Sequence, residues 1–194
     1  MSPAKRPAAD LPGMDRATIA LAGGSYFDFE TADCARVTIT DIARGLSHAC
    51  RFAGQCPRFY SVAEHSVHVS RIVPPAYAWD ALMHDAAEAF LGDVAKPLKN
   101  LLPDYRAIEA RVERALAIRF VMRHPMPSAI KLADRAMLAL EQREVMHSTD
   151  PWGYLDGVLP PEGVTIYHFG PDAAQSMFLG RVKELRPDLL GPEQ

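Results

Sequence analysis

Cysteine is scarce. Cys34, Cys50 and Cys56 make an odd number with no CxxC pair among them. That excludes a disulfide framework and a thiolate zinc site, and reduced thiols are expected. No apolar run approaches the ~18 residues that span a bilayer, so no transmembrane helix and no membrane partner are expected. The N-terminal stretch MSPAKRPAADLPGMDRA lacks the apolar core of a signal peptide, so a cytoplasmic location is expected. There is no basic block either: 21 Lys and Arg face 24 Asp and Glu, for a net charge of −3. A strongly basic binder of nucleic-acid polymers is thereby excluded. No internal repeat and no low-complexity tract are visible.

What remains is the composition of a globular protein. The 194 residues are 48% hydrophobic, enough for one domain with a real core. Residues 1–16 are rich in Pro and Ala and read as a loose tail. Residues 17–194 read as one mainly α domain with a minor N-terminal β-hairpin.

The hairpin is predicted from Ile19–Leu21, the Gly23-Gly24 pair and Tyr26–Phe29. Helical patterning starts at Thr40, with Thr40 or Asp41 as cap and Ile42, Leu46, Ala49 and Cys50 on one face. Ser61 opens a second helix with Glu64 three residues on, a capping-box pattern, and Pro74-Pro75 closes it. One continuous helix is predicted from Ala76 to Leu91, stopped at Gly92. Further helices are predicted over Pro103–Phe120, Ser128 to about His147, and Asp172–Leu185. The last two flank a structured loop at 149–170.

Chemistry concentrates on four residues. His65 lies on the apolar face of its helix. His84 and Asp85 are adjacent within ALMHDAAEAFLGD, and Asp134 sits within KLADRAM, again among apolar neighbours. A carboxylate or imidazole in a helix core needs a partner or a metal. Taken singly, His65 reads as a hydrogen-bonded core histidine and Asp134 as a partner of Arg135 or Lys131. The adjacent pair is harder to explain that way, because neighbours on an α-helix diverge by about 100°. Two imidazoles and two carboxylates form a mixed nitrogen and oxygen set suited to Mn²⁺, Co²⁺, Fe²⁺, Ni²⁺ or Zn²⁺.

The order His, then His-Asp, then a distant Asp resembles the HD-domain metal-dependent phosphohydrolases. The likeness covers roughly residues 40–147. SVAEHS, HDAAEAFLGDVAKPLK and KLADRAM resemble in particular the YfbR-type 5′-deoxynucleotidases and the related oxetanocin and dATP phosphohydrolases. The resemblance implies an HD-domain helical bundle with His65, His84, Asp85 and Asp134 as metal ligands. It implies catalytic roles for Asp85 and for Glu88, the latter as base or orienting group for water. It also suggests Arg51 and Phe52 as nucleotide contacts, with Asp93, Lys96 and His68 as further substrate-binding candidates. The N-terminal hairpin and the DPWGYLDG loop (150–157) depart from that pattern.

The function so implied is metal-dependent hydrolysis of a nucleotide phosphate ester, with a (deoxy)nucleoside 5′-monophosphate as substrate. The rival expectations are a deoxynucleoside triphosphate triphosphohydrolase and a non-catalytic nucleotide sensor. A homo-oligomer is a further expectation from the resemblance. With a slightly acidic chain, attraction of a phosphate must come from a metal or from local Arg and Lys.

Overall fold

The computed structural model describes residues 17–190. The expected N-terminal tail lies outside the described residues. Strands β1 (Thr18–Ala20) and β2 (Tyr26–Asp28) form an antiparallel hairpin pairing Thr18 with Asp28, Ile19 with Phe27 and Ala20 with Tyr26. Eight α-helices follow in the described residues: α1 (Ile39–His48), α2 (Val62–Ile72), α3 (Ala78–Leu82), α4 (Glu88–Leu91), α5 (Lys96–Lys99), α6 (Pro103–Arg119), α7 (Ser128–Glu144) and α8 (Pro171–Leu185). The mainly α architecture with an N-terminal hairpin matches the sequence pattern. No described helix is long and apolar enough to cross a membrane.

The cap of α1 is Thr38, not Thr40 or Asp41. Its hydroxyl accepts from the Asp41 N–H, and the Asp41 carboxylate accepts from the Thr38 N–H at 3.0 Å. Asp41 therefore fills the third helical position of a reciprocal box. Its other oxygen accepts from Gly23 N–H at 2.9 Å, tying the hairpin turn to the helix start. A Cβ at Gly23 would sit 2.9 Å from that same oxygen, so the contact requires glycine there. The hairpin also covers α4: Phe27 is fully buried and stacks on Phe90 with ring centroids 4.5 Å apart.

Helix α2 is central. Every residue from Val62 to Ser70 is buried, and the helix packs against α1, α3, α7 and α8. A helix apolar on one face only cannot do this, so its polar residues all need internal partners. One core cluster joins the hairpin, α1, the start of α2, α6 and α8 through Phe27, Leu46, Val67, Leu116 and Phe178. A second joins the end of α2 to α3 and α7 through Val69, Ala81, Ile130, Met137 and Leu140.

The predicted capping box at Ser61 forms by half. Ser61 accepts from Glu64 N–H at 3.1 Å, but the Glu64 carboxylate does not return to the cap. It accepts instead from the backbone N–H groups of Tyr167, His168 and Phe169, over 100 residues away in sequence. Three backbone donors on one buried carboxylate outcompete a single local one.

The continuous helix predicted over Ala76–Leu91 is not found. A 3₁₀ turn (Pro75–Tyr77) leads into α3, and residues 83–87 leave the α-helix before α4 begins at Glu88. Through this break the backbone bonds reach three residues back: Ala86 N–H to Met83 O, Glu88 N–H to Asp85 O and Ala89 N–H to Ala86 O. Tighter winding of this kind brings residues three apart into line.

Candidate metal centre

The break delivers His84 and Asp85 to one place. His84 is buried, and its Nδ1 lies 2.8 Å from the Ala81 carbonyl, to which it donates. That fixes the tautomer and leaves Nε2 as the inward atom. Asp85 Oδ2 lies 3.1 Å from His84 Nε2 and 3.7 Å from His65 Nε2. Asp134 Oδ1, from α7, lies 3.2 Å from His65 Nε2 and 3.9 Å from His84 Nε2. One ligand atom each from His65, His84 and Asp134 falls within 4.8 Å of the others. The structure thus groups three of the expected ligands, from α2, the α3–α4 break and α7, with Asp85 Oδ2 beside both imidazoles.

Both Nε2 atoms are buried, and neither makes a hydrogen bond. They are close to carboxylate oxygens without being aimed along a hydrogen-bond direction, as atoms directed at a common point are. Two imidazoles beside two carboxylates favour positive charge there, whether carried as protons on the rings or by a bound cation. The same demand shows in His84: burial disfavours its charged form, yet the Asp85 charge raises it well above the ordinary histidine value. A divalent cation meets that demand, and the donor set suits one bound by nitrogen and oxygen.

Sequence reading gave no role to Glu141. It is fully buried on α7 and accepts three hydrogen bonds: from His65 Nδ1 at 2.5 Å, from Arg51 Nη2 at 2.9 Å and from Tyr60 Oη at 2.9 Å. Burial opposes its charge, but Arg51 and His65 hold the carboxyl down at about 2. Glu141 orients His65 as Ala81 orients His84, the arrangement metal-binding histidines use. A signal was present: Glu141 follows Asp134 by seven residues, two turns along the same helix face.

The cluster opens onto a cleft of about 710 Å³, whose lining includes Asp85 and Asp134 together with Glu88, Asp93, Arg51, Phe52 and Lys96. Glu88 follows Asp85 by three residues, and its N–H donates to the Asp85 carbonyl at 2.9 Å. It is buried, and its Oε2 has no hydrogen-bond partner. Burial pushes the Glu88 carboxyl well above the usual range, with the Asp85 and Asp93 charges adding to the effect and Lys99 and Arg51 opposing it. Lys99 Nζ bridges Glu88 Oε1 at 3.4 Å and Glu109 Oε1 at 2.6 Å. Asp93 follows Gly92, whose φ of 76° turns the chain out of α4. Burial raises the Asp93 carboxyl as well, against the pull of Arg51.

Arg51 was expected as a nucleotide contact. Its Nη2 is committed to Glu141, and its Nη1 lies 3.8 Å from Asp85 Oδ2, so only Nη1 is open to the cleft. His68 does not line the cleft. It is buried beside the Glu64 carboxylate at 3.6 Å and against the Tyr167 ring, because α2 turns that face toward the 164–170 segment. The 150–157 loop, unplaced by the family likeness, brings Trp152 and Tyr154 to the cleft.

Fold and site define a mainly helical protein in which two buried histidines face two partly exposed aspartates, one histidine being held by a buried glutamate. The chain is 37% identical over 163 residues to the uncharacterized protein YfdR of Escherichia coli (strain K12), a match covering 84% of this chain and 92% of that protein. It is 33% identical to an uncharacterized protein of Rhodobacter capsulatus, over 68% of this chain and 74% of the relative. The chain belongs to the family of these proteins. No protein-family model matches it.

Proposed function

We propose that the protein is a metal-dependent phosphohydrolase of the HD type that hydrolyses the phosphate ester of a (deoxy)nucleoside 5′-monophosphate. The observation that carries this reading is the convergence of His65 Nε2, His84 Nε2, Asp85 Oδ2 and Asp134 Oδ1 beside a cleft that also holds a buried, unpaired Glu88 oxygen. Those four atoms would hold a divalent transition metal: Mn²⁺, Co²⁺, Fe²⁺, Ni²⁺ or Zn²⁺. Bound there, such an ion supplies Lewis-acid polarisation of a phosphoryl oxygen and activation of water.

The chain's own groups divide the remaining work. Glu88 Oε2 faces no other donor and accepts a proton from the attacking water, or orients it. Burial raises its affinity for a proton, the direction a general base requires. Lys99 fixes the Glu88 carboxylate through Oε1 and leaves Oε2 free. Arg51 Nη1 and Lys96 place positive charge where the phosphate charge develops. Glu141 takes no part in the chemistry; it holds His65 and Arg51 in place.

The test is a panel of nucleoside mono-, di- and triphosphates incubated with protein loaded with Mn²⁺ or Co²⁺, with products identified. Release of inorganic phosphate from monophosphates is expected. Release of triphosphate from deoxynucleoside triphosphates would replace the nucleotidase reading by the triphosphohydrolase one, and no release from any nucleotide would overturn both. Asp85→Ala is expected to lose metal and turnover together, whereas Glu88→Gln keeps the metal and loses ~100-fold or more in kcat.

A further inference from the structure

Three aromatic side chains share the cleft with the metal-ligand cluster. Trp152 lies 6.0 Å from Tyr154 between ring centroids, with the planes tilted by 32°, and 6.2 Å from Phe52. Tyr154 is 48% exposed and Trp152 half-buried, so neither is spent on the core. Large flat rings left open at the mouth of a polar cleft are a common form of ligand-binding surface.

The rings are held in place. Arg135 Nη2 donates to the Tyr154 carbonyl at 2.5 Å, and Gln142 Nε2 donates to the Asp150 carbonyl at 2.5 Å. A 3₁₀ turn (Gly153–Leu155) closes between them, with Leu155 buried beneath. Both anchoring side chains belong to α7, and Arg135 directly follows Asp134. A single helix therefore fixes the aromatic loop and presents a metal ligand, so the separation of the two is set by one rigid element. On the facing loop, Phe52 and Ala53 both have positive φ (56° and 51°). For residues other than glycine this conformation is strained, and it persists where surrounding structure enforces it.

We propose that Trp152 and Tyr154, with Phe52 beside them, form the stacking surface for the nucleobase and set the substrate class of the cleft. This rests on the phosphohydrolase reading. Stacking uses the π-face that every base possesses and is therefore tolerant of base identity. The preference so produced is for a phosphate ester carrying an aromatic base, with weak discrimination among bases and strong discrimination against a bare sugar phosphate.

The test compares dAMP, dCMP and 2-deoxyribose 5-phosphate in the full-length protein, its Trp152→Ala variant and its Trp152→Phe variant. Trp152→Ala is expected to raise KM for both nucleotides about tenfold or more, with the effect on KM rather than kcat. The sugar phosphate is expected to be a poor substrate of every form, and Trp152→Phe to recover most of the nucleotide KM. Equal KM values for nucleotide and sugar phosphate in the unaltered protein, or an equal effect of Trp152→Ala on all three, would overturn the proposal. Tryptophan fluorescence reads the same surface without turnover. Quenching by dAMP that is lost in Trp152→Phe and is absent with the sugar phosphate supports the stacking surface even in a protein that hydrolyses nothing. Equal quenching by both ligands refutes it even in an active enzyme.

Discussion

Glu141→Gln tests the architecture beneath the site. The substitution preserves volume and removes one charge from a position with no solvent exposure. Glu141 accepts from three donors, and a glutamine has one carbonyl oxygen to offer them. It also turns an NH₂ toward groups that themselves donate. Each charge-assisted hydrogen bond is worth ~1.5–3 kcal/mol. Removing one partner of a buried ion pair costs ~3–5 kcal/mol, here because Arg51 loses its 2.9 Å partner. A net loss of ~3 kcal/mol is expected, which for a chain this long lowers Tm by ~6–12 °C. The second consequence is on the metal. With Nδ1 of His65 no longer held by a carboxylate, the tautomer presenting Nε2 is no longer enforced, and affinity should fall 10–100-fold. The assays are thermal unfolding of the metal-free protein and isothermal titration with Mn²⁺ or Co²⁺. Tyr60→Phe serves as the control: it removes one donor from Glu141 and leaves the His65 bond, so it should cost ~1 kcal/mol and leave metal affinity intact. A Glu141→Gln protein that binds metal as tightly as the parent would refute the orienting role, whatever its Tm.

Three further outcomes are expected. A Cβ on Gly45 would run into the backbone of Ala89, so Gly45→Ala should cost ~1–3 kcal/mol and displace α4 with Glu88, seen as a lower Tm and lower kcat together; an unaltered Tm would show that α1 and α4 do not meet this closely. Glu64→Gln should weaken the three bonds to residues 167–169, and amide hydrogen exchange there should accelerate at least tenfold while exchange in α6 does not change; uniform exchange across the chain would contradict a local latch. Chelation with EDTA should abolish turnover and lower Tm, because the proposed ion would activate the water and would balance the charge of the two carboxylates beside the imidazoles; activity surviving in EDTA, in protein shown to be metal-free, would remove the metal from the reaction.

Much of the fold is periodic and was therefore readable. Helices α6, α7 and α8 follow their apolar stripes, with Val112, Leu116, Met137, Phe178 and Val182 buried as their spacing requires. The four candidate ligands were readable because each is a polar residue set in an apolar context. The contacts that position them were less so. Glu64 stands three residues after Ser61, as a capping box demands, but its partners are backbone groups of a loop that no local rule connects to it. Tyr60 carries no spacing signal toward Glu141, and the two meet only because α2 and α7 pack together. The 150–157 loop has neither helical nor strand period, so nothing in its pattern indicated that its rings face the cleft.

The broken helix shows why local reasoning fails at the site in particular. HDAAEAFL is made of good helix formers, and propensity alone continues the helix through it. A regular α-helix would send His84 and Asp85 about 100° apart, and only one could reach the ligand cluster. The winding observed puts His84 Nε2 and Asp85 Oδ2 3.1 Å apart. Tertiary contacts on either side of the break keep it in that form: Trp79 Nε1 donates to the Phe120 carbonyl before it, and Phe90 stacks on Phe27 after it. The hairpin, absent from the family likeness, thus has a structural role in the centre: it braces the short helix that carries Glu88. Regular backbone is given up where two adjacent polar side chains face one cluster, and the packing around the break compensates for it.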